Sequence, residues 1–234
     1  MKYEKRFSGR KFDELREMDA KVGIIERADG SAMFKIGKTI AIAAVYGPRQ
    51  LHPAFLRNPQ KGILRCNYNM MSFSGSGDRV KPGPNRRSRE ISMVIENSLA
   101  PVLDLSDFPN AVIDVFIELI QTDAGTRCAG ICAASMALAD AGITMKDLVV
   151  AVSTGRIGDK LLVDLTYDEE AYKEESVADM PIAMLGRTGE ITLLQLDGEL
   201  TKEQIKKAIE LGKKAGQKIY EIQTKALKEK YMVK

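Results

Sequence analysis

Between residues 128 and 142 the chain reads CAGICAASMALADAG, a run built mostly of alanine, glycine, cysteine and serine. Alanine at this density favours a helix, and Gly142 suits the position just past a helix end. A helix with so few bulky side chains excludes water only by lying close to other backbone, so it belongs near the centre of the fold. The rest of the chain has to be arranged around it.

Upstream, residues 22–28 and 32–36 read as strands flanking a turn at Asp29, Gly30 and Ser31, with residues 39–45 as a third strand of an antiparallel sheet. Residues 63–73 read as a further strand and residues 74–84, rich in glycine and proline, as a loop ending in basic residues. From Asn85, a natural N-cap, the period changes: Ile91, Val94, Ile95, Leu99 and Val102 recur at helical spacing, with Pro101 near the end. Residues 111–120 suit a buried strand or a short core helix, and β-branched content favours the strand. A second, similar arrangement follows, with strands near 148–153, 160–166, 182–185 and 190–196. Thr201 and Gln204 then form a capping box that opens a long helix with Ile205, Ile209, Gly212, Ile219, Ile222 and Ala226 along its apolar stripe. The expected class is α+β, in two sheet-and-helix halves, 1–145 and 146–234, with no sequence repeat between them.

Hydrophobic residues make up 44% of 234, enough for a substantial core. With 35 basic and 32 acidic residues the net charge is only +3, so affinity for a polyanion must come from local clusters. The three cysteines, Cys66, Cys128 and Cys132, lack the partner ligands of a zinc site and read as core thiols in a reducing compartment. The first residues are charged throughout and no later segment has the length of a membrane span, so a soluble, cytoplasmic protein is expected.

Two clusters carry chemistry. In QTDAGTRCAG, residues 121–130, a strand ends and the small-residue helix begins. The first turn of a helix has unpaired N–H groups and partial positive charge, so Gly125, Thr126 and Arg127 can offer backbone donors, a hydroxyl and a guanidinium to a small anion such as phosphate. The alternative is that Asp123 or Thr126 merely caps the helix and Arg127 is a solvated surface residue. The second cluster, Arg86, Arg87 and Arg89, puts three cations at a helix N-terminus, where positive charge is unfavourable without an anion. Glu90 and Glu96 are candidate compensators, but consecutive Arg86 and Arg87 cannot both face Glu90 along one side of a helix. Arg65 and Tyr68, on the preceding strand, add a cation and a ring suited to stacking a base. Asp179, before Pro181, reads as a turn carboxylate able to donate a proton or hold a divalent metal, with Asp164, Asp168 and Glu170 as competitors that spacing does not separate.

The segments RRSREI (86–91), QTDAGTR (121–127), AASMALADAGI (133–143), ADMPIAM (178–184) and LLQLDGELT (193–201) resemble, in order and spacing, the ribonuclease PH family, and the resemblance spans essentially the whole chain. Within that family the chain looks most like the catalytic ring subunit of the archaeal exosome, with a bacterial-type enzyme trimming tRNA 3′ ends and a non-catalytic RNA-binding ring subunit as the alternatives. The resemblance implies the ribonuclease PH fold, whose N-terminal part is like ribosomal protein S5 domain 2. It also implies a 3′→5′ exoribonuclease that uses inorganic phosphate as co-substrate and releases nucleoside diphosphates, reversibly. By motif, Gly125, Thr126 and Arg127 would bind the phosphate, Arg86 and Arg87 the RNA near its 3′ end, and Asp179 would protonate the leaving oxygen or position Mg²⁺. The implied partners are single-stranded RNA, an inactive sister subunit in a hexameric ring, and RNA-binding cap subunits, with His52, Phe55 and Arg57 turned toward a central channel. Asn69 departs from the family pattern, where a histidine follows the tyrosine.

Overall fold

The computed structural model describes residues 3–76 and 80–232, so part of the expected 74–84 loop, at 77–79, lies outside the described residues. Strands β1 (Met18–Val22), β2 (Gly30–Ile36), β3 (Thr39–Gln50), β4 (Ile63–Met70) and β5 (Ala111–Gln121) form one sheet in the order β1-β2-β3-β5-β4. All its pairings are antiparallel except β4 with β5, which are parallel and joined by helix α1 (Arg86–Leu99). A parallel pair needs such a crossover, and α1 packs its Ile91, Ile95 and Leu99 stripe onto β4. The second sheet, β7-β6-β8-β9, is antiparallel and is built from β6 (Val149–Ile157), β7 (Lys160–Val163), β8 (Val177–Leu185) and β9 (Ile191–Leu194). Short α3 (Tyr167–Glu170) lies between β7 and β8, and α4 (Lys202–Tyr231) closes the chain.

Helix α2 (Thr126–Asp140) lies between the sheets, against β2 and β3 on one side and β6 and β8 on the other. Thirteen of its fifteen residues are buried, which is why its side chains are small all round. Ile131, Met136 and Leu138 are fully buried, each contributing about 1.5–3 kcal/mol. The close approach the small residues imply is real: a Cβ on Gly30 of β2 would lie 2.3 Å from the Ala141 nitrogen and 2.4 Å from the Ala137 carbonyl oxygen. Cys66, Cys128 and Cys132 are free and buried, as core thiols should be.

Several boundaries differ from expectation, each for a local reason. The first strand ends at Val22 rather than starting there, because Gly23 turns left-handed (φ 71°) and residues 23–29 fold back, with Ile25 N–H donating to Ser31 Oγ at 2.9 Å. β7 stops at Val163 because Asp164 is left-handed (φ 57°). β8 starts at Val177, which puts Asp179 inside a strand rather than in a turn. Pro181 does not break β8: on its outer side Pro181 only accepts, from Gln195 N–H at 3.1 Å, so no donor is required of it there.

The N-terminal segment straps onto the second sheet through Arg6, 2% exposed, whose guanidinium holds Glu169 at 2.7 and 2.8 Å and the carbonyls of Val163 and Asp164 at 2.9 and 2.7 Å. At the other end, Lys230 pairs with Asp140 of α2 at 2.5 Å and Tyr231 Oη donates to the same carboxylate at 2.7 Å. No helix among the described residues is long and apolar enough to cross a membrane.

Candidate active site

A cleft of about 650 Å³ opens where the two sheets meet at the N-terminal end of α2. One wall comes from the first sheet and its helices: Arg87 from α1, and Gly125, Thr126 and Arg127 from the bend entering α2. The other comes from the second sheet: Ser153 of β6, Glu170 of α3, Asp179 of β8 and Asp197 beyond β9. Cations and an open helix end therefore face carboxylates across the gap.

The geometry of the bend separates the two readings of QTDAGTR. The N-cap of α2 is Gly125, left-handed at φ 66°, and no side chain caps the helix. Asp123 is engaged elsewhere, accepting the Tyr167 N–H at 3.2 Å and lying 3.7 Å from Arg16. The first amides of α2 thus open toward the cleft with their positive end uncompensated by a capping carboxylate. Arg127 is not a solvated surface residue: its Nη2 donates to both oxygens of Glu90, at 3.1 and 3.2 Å, while its Nε is buried without a partner among the described residues. A buried guanidinium N–H left unmatched is costly unless a ligand satisfies it.

In α1, Asn85 caps the helix with Ser88 as reciprocal partner, and the first turn holds no acidic residue. Glu90 is spent on Arg127, which leaves Arg87 in the cleft without an ion pair among the described residues. Arg86, one position earlier, is exposed and outside the cleft wall.

Across the gap, Ser153 Oγ donates to Asp179 Oδ1, and the backbones of Asp179 and Asp197 exchange two hydrogen bonds of 2.8 Å. Burial pushes the Asp179 carboxyl above the ordinary carboxylate range, with Ser153 and Arg127 pulling the other way and Asp197 adding to the rise. Burial and the charge of Asp179 raise Glu170 to about 7, against the opposing charges of Arg16, Arg87 and Arg127. Among the competitors for a carboxylate role, Glu170 is in the cleft, Asp164 is buried against Arg10 and Arg16, and Asp168 lies outside the cleft.

Two expected site residues are placed otherwise. Tyr68 is 4% exposed, its ring packed against Gly130 of α2, so no face is open to stack a base, although the residue borders the cleft with its hydroxyl beside Thr126. Arg65 projects from the opposite face of β4, because alternate strand residues point oppositely, and is held by Asp114 at 2.5 and 2.9 Å. Asn69 shares that outer face and donates to Glu118 at 2.8 Å. Phe55 is 84% exposed in a short 3-10 turn outside the cleft. Ser153 and Asp197 also line the cleft; Asp197 lies within the LLQLDGELT segment, whereas nothing in the local sequence marks Ser153.

The family of this α+β chain follows from sequence comparison. Residues 14–144 match domain 1 and residues 147–215 match domain 2 of the 3′ exoribonuclease family (RNase PH), and the chain belongs to that family. It is 52% identical over 228 residues to the exosome complex component Rrp41 of Thermococcus kodakarensis, covering 97% of this chain and 90% of that protein. It is 48% identical over 226 residues to the component of the same name from Methanopyrus kandleri, covering 97% and 93%. The crystal structure of rice Rrp46 superposes with a TM-score of 0.82 at 25% identity, covering 95% of this chain and all of that one.

Proposed function

We propose that the protein is the catalytic subunit of an archaeal exosome, a phosphate-dependent 3′→5′ exoribonuclease acting on single-stranded RNA. The observation that carries this reading is the cleft itself, where an uncapped helix end, Arg127 and Arg87 face Asp179. The family match and the relatives named as exosome components support it, and favour it over a bacterial-type tRNA-trimming enzyme.

Inorganic phosphate sits at the amides and side chains of Gly125, Thr126 and Arg127, and Arg87, with Arg86 at the rim, grips the RNA phosphates near the 3′ end. Holding two anions in line is the main obstacle, and fixed positive groups remove it. A phosphate oxygen attacks the last phosphorus of the chain, the bond to the preceding 3′ oxygen breaks, and a nucleoside diphosphate leaves. Asp179, whose carboxyl is raised above the ordinary carboxylate range by burial, gives its proton to the departing 3′ oxygen. The reverse direction extends RNA.

Among the described residues no three metal-ligating side chains converge. Mg²⁺ commonly takes only one or two carboxylates plus substrate phosphates, a donor set that Asp197 and an ionised Asp179 in the same cleft fit, as the alternative to proton donation by Asp179. When bound, the ion would neutralise charge on the reacting phosphates. The protein works in the cytoplasm, within a hexameric ring alternating with an inactive sister subunit, under RNA-binding cap subunits. Arg65, remote from the cleft, and the exposed turn with His52, Phe55 and Arg57 touch RNA on its way through that ring.

The test is a labelled single-stranded oligonucleotide incubated with the protein and its ring partner, with and without phosphate. Shortening that requires phosphate and yields nucleoside diphosphates supports the reading; nucleoside monophosphates in phosphate-free buffer contradict it.

A further inference from the structure

Two non-glycine residues with left-handed backbone, Ala124 (φ 55°) and Asp164 (φ 57°), lie on either side of one buried arginine. Ala124 is followed by left-handed Gly125, so the bend entering α2 carries two such residues in succession. Backbone of this kind persists only where its surroundings over-determine it. Thr39, fully buried, holds the bend from one side: its Oγ1 accepts the Asp123 N–H at 2.8 Å and donates to the Ala124 carbonyl at 2.7 Å. Arg16 holds it from the other, donating from Nη1 to the Asp123 carbonyl, with Nη2 3.2 Å from where a Cβ on Gly125 would stand.

The same guanidinium grips Asp164. Nη2 donates to Oδ1 at 2.7 Å, Nε donates to Oδ2 at 3.0 Å, and the Arg16 backbone N–H donates to Oδ2 at 2.7 Å. Asp164 N–H then donates to the Ser153 carbonyl at 2.7 Å, and the Ser153 hydroxyl donates to Asp179. Asp123, Arg16, Asp164, Ser153 and Asp179 thus form an unbroken chain of contacts from one wall of the cleft to the other. Only a planar fork with five donors can bind a carboxylate along one edge and a carbonyl with a further N–H; an ammonium group cannot span both.

We propose that Arg16 is a positioning residue for phosphorolysis, setting the bend that receives inorganic phosphate at a fixed separation from Asp179. This rests on the functional reading above. Arg16 lines no part of the cleft and touches no reacting atom, so it acts through the bend and through Ser153.

The experiment uses the assembled complex and the variants Arg16→Lys, Arg16→Gln and Thr39→Val. Initial rates are measured against phosphate at saturating RNA, together with the RNA dissociation constant and the melting temperature. Phosphate dependence of the unmodified complex is established first, since its absence sinks the functional reading itself and not this inference alone. Arg16→Lys should raise the phosphate KM about tenfold and lower kcat, with the RNA Kd changed less than about twofold. Thr39→Val, which loosens the bend while leaving the link to Asp164, should raise the phosphate KM with a smaller loss of kcat. If Arg16→Gln does not fold, these two variants decide the matter. A lowered melting temperature with an unchanged phosphate KM in both would assign Arg16 a purely structural role and overturn the proposal.

Discussion

Ser153 Oγ donates its hydrogen to Oδ1 of Asp179, tying a hydroxyl on β6 to a carboxylate on β8. The bond stabilises the charged carboxylate, whereas burial favours the protonated acid, so the two set the proton affinity of Asp179 against each other. Burial already wins, and removing the hydroxyl adds to the rise. Ser153→Ala is expected to move the alkaline limb of the kcat profile to higher pH, because in the proposed reaction Asp179 is the acid and would stay protonated to higher pH. A pH–rate series at saturating RNA and phosphate checks this, and a limb moving to lower pH would contradict it. Asp179→Asn should lower kcat by about 10²–10⁴-fold while RNA binding, followed by anisotropy, is retained.

Glu170 makes the stability of the free protein depend on pH. Its folded-state pKa of about 7 lies above the unfolded value near 4.3, so the folded state holds an extra proton between the two. The associated stability is present in full below pH ~4 and is lost as pH rises through the folded value. Glu170→Gln should abolish this dependence and leave the variant more stable than the parent at pH 8, by about 2 kcal/mol. Denaturant melts at pH 5 and pH 8 measure the difference, and equal changes at both would refute it.

Arg86 and Arg87 are neighbours in sequence but differ in position. Only Arg87 lines the cleft, so Arg87→Ala should weaken RNA binding by about 1–3 kcal/mol and reduce the slope of log K against log salt by about 0.7. Arg86→Ala should cost less than about 1 kcal/mol. Salt titrations of the RNA affinity of both variants, in the assembled complex, distinguish them; equal losses would mean that the rim and the cleft bind alike.

Gly30 touches the backbone at the C-terminal end of α2, where a Cβ would fall 2.3 Å from the Ala141 nitrogen. Gly30→Ala has to push β2 away from α2 and should lower stability by about 2–3 kcal/mol, read as a fall in denaturant midpoint. Gly142→Ala meets no atom within 4 Å but places a side chain at φ 73°, so it should cost only about 1 kcal/mol. A Gly30→Ala loss no larger than that of Gly142→Ala would show that β2 has room to move.

Much of the architecture was legible because its signals are local. Asn85 with Ser88 and Thr201 with Gln204 cap helices using atoms three residues apart, and the small-residue run needs no distant information to demand close neighbours. The site was readable in part for the same reason, since Gly125, Thr126 and Arg127 are contiguous and so are Arg86 and Arg87. The burial of the Tyr68 ring was not legible because a strand's alternation does not say which face is covered; α1 and α2 cover the face bearing Tyr68, and Arg65 is left on the other. Pro181 concealed that Asp179 lies within a strand, because whether a missing N–H matters depends on the partner strand.

The amino-acid order alone determined the α+β class, the central helix and the two cationic segments, since each depends on period, caps or adjacency within a few residues. Only the folded chain decided that Arg87, Arg127 and Asp179 share one cleft, that Glu90 belongs to Arg127, that Glu170 rather than Asp164 faces the gap, and that Arg16 joins its two walls. Those relationships join residues 37 to 148 positions apart. Such separations are closed by burial of α2 between two sheets, a collective event that no short window of sequence encodes.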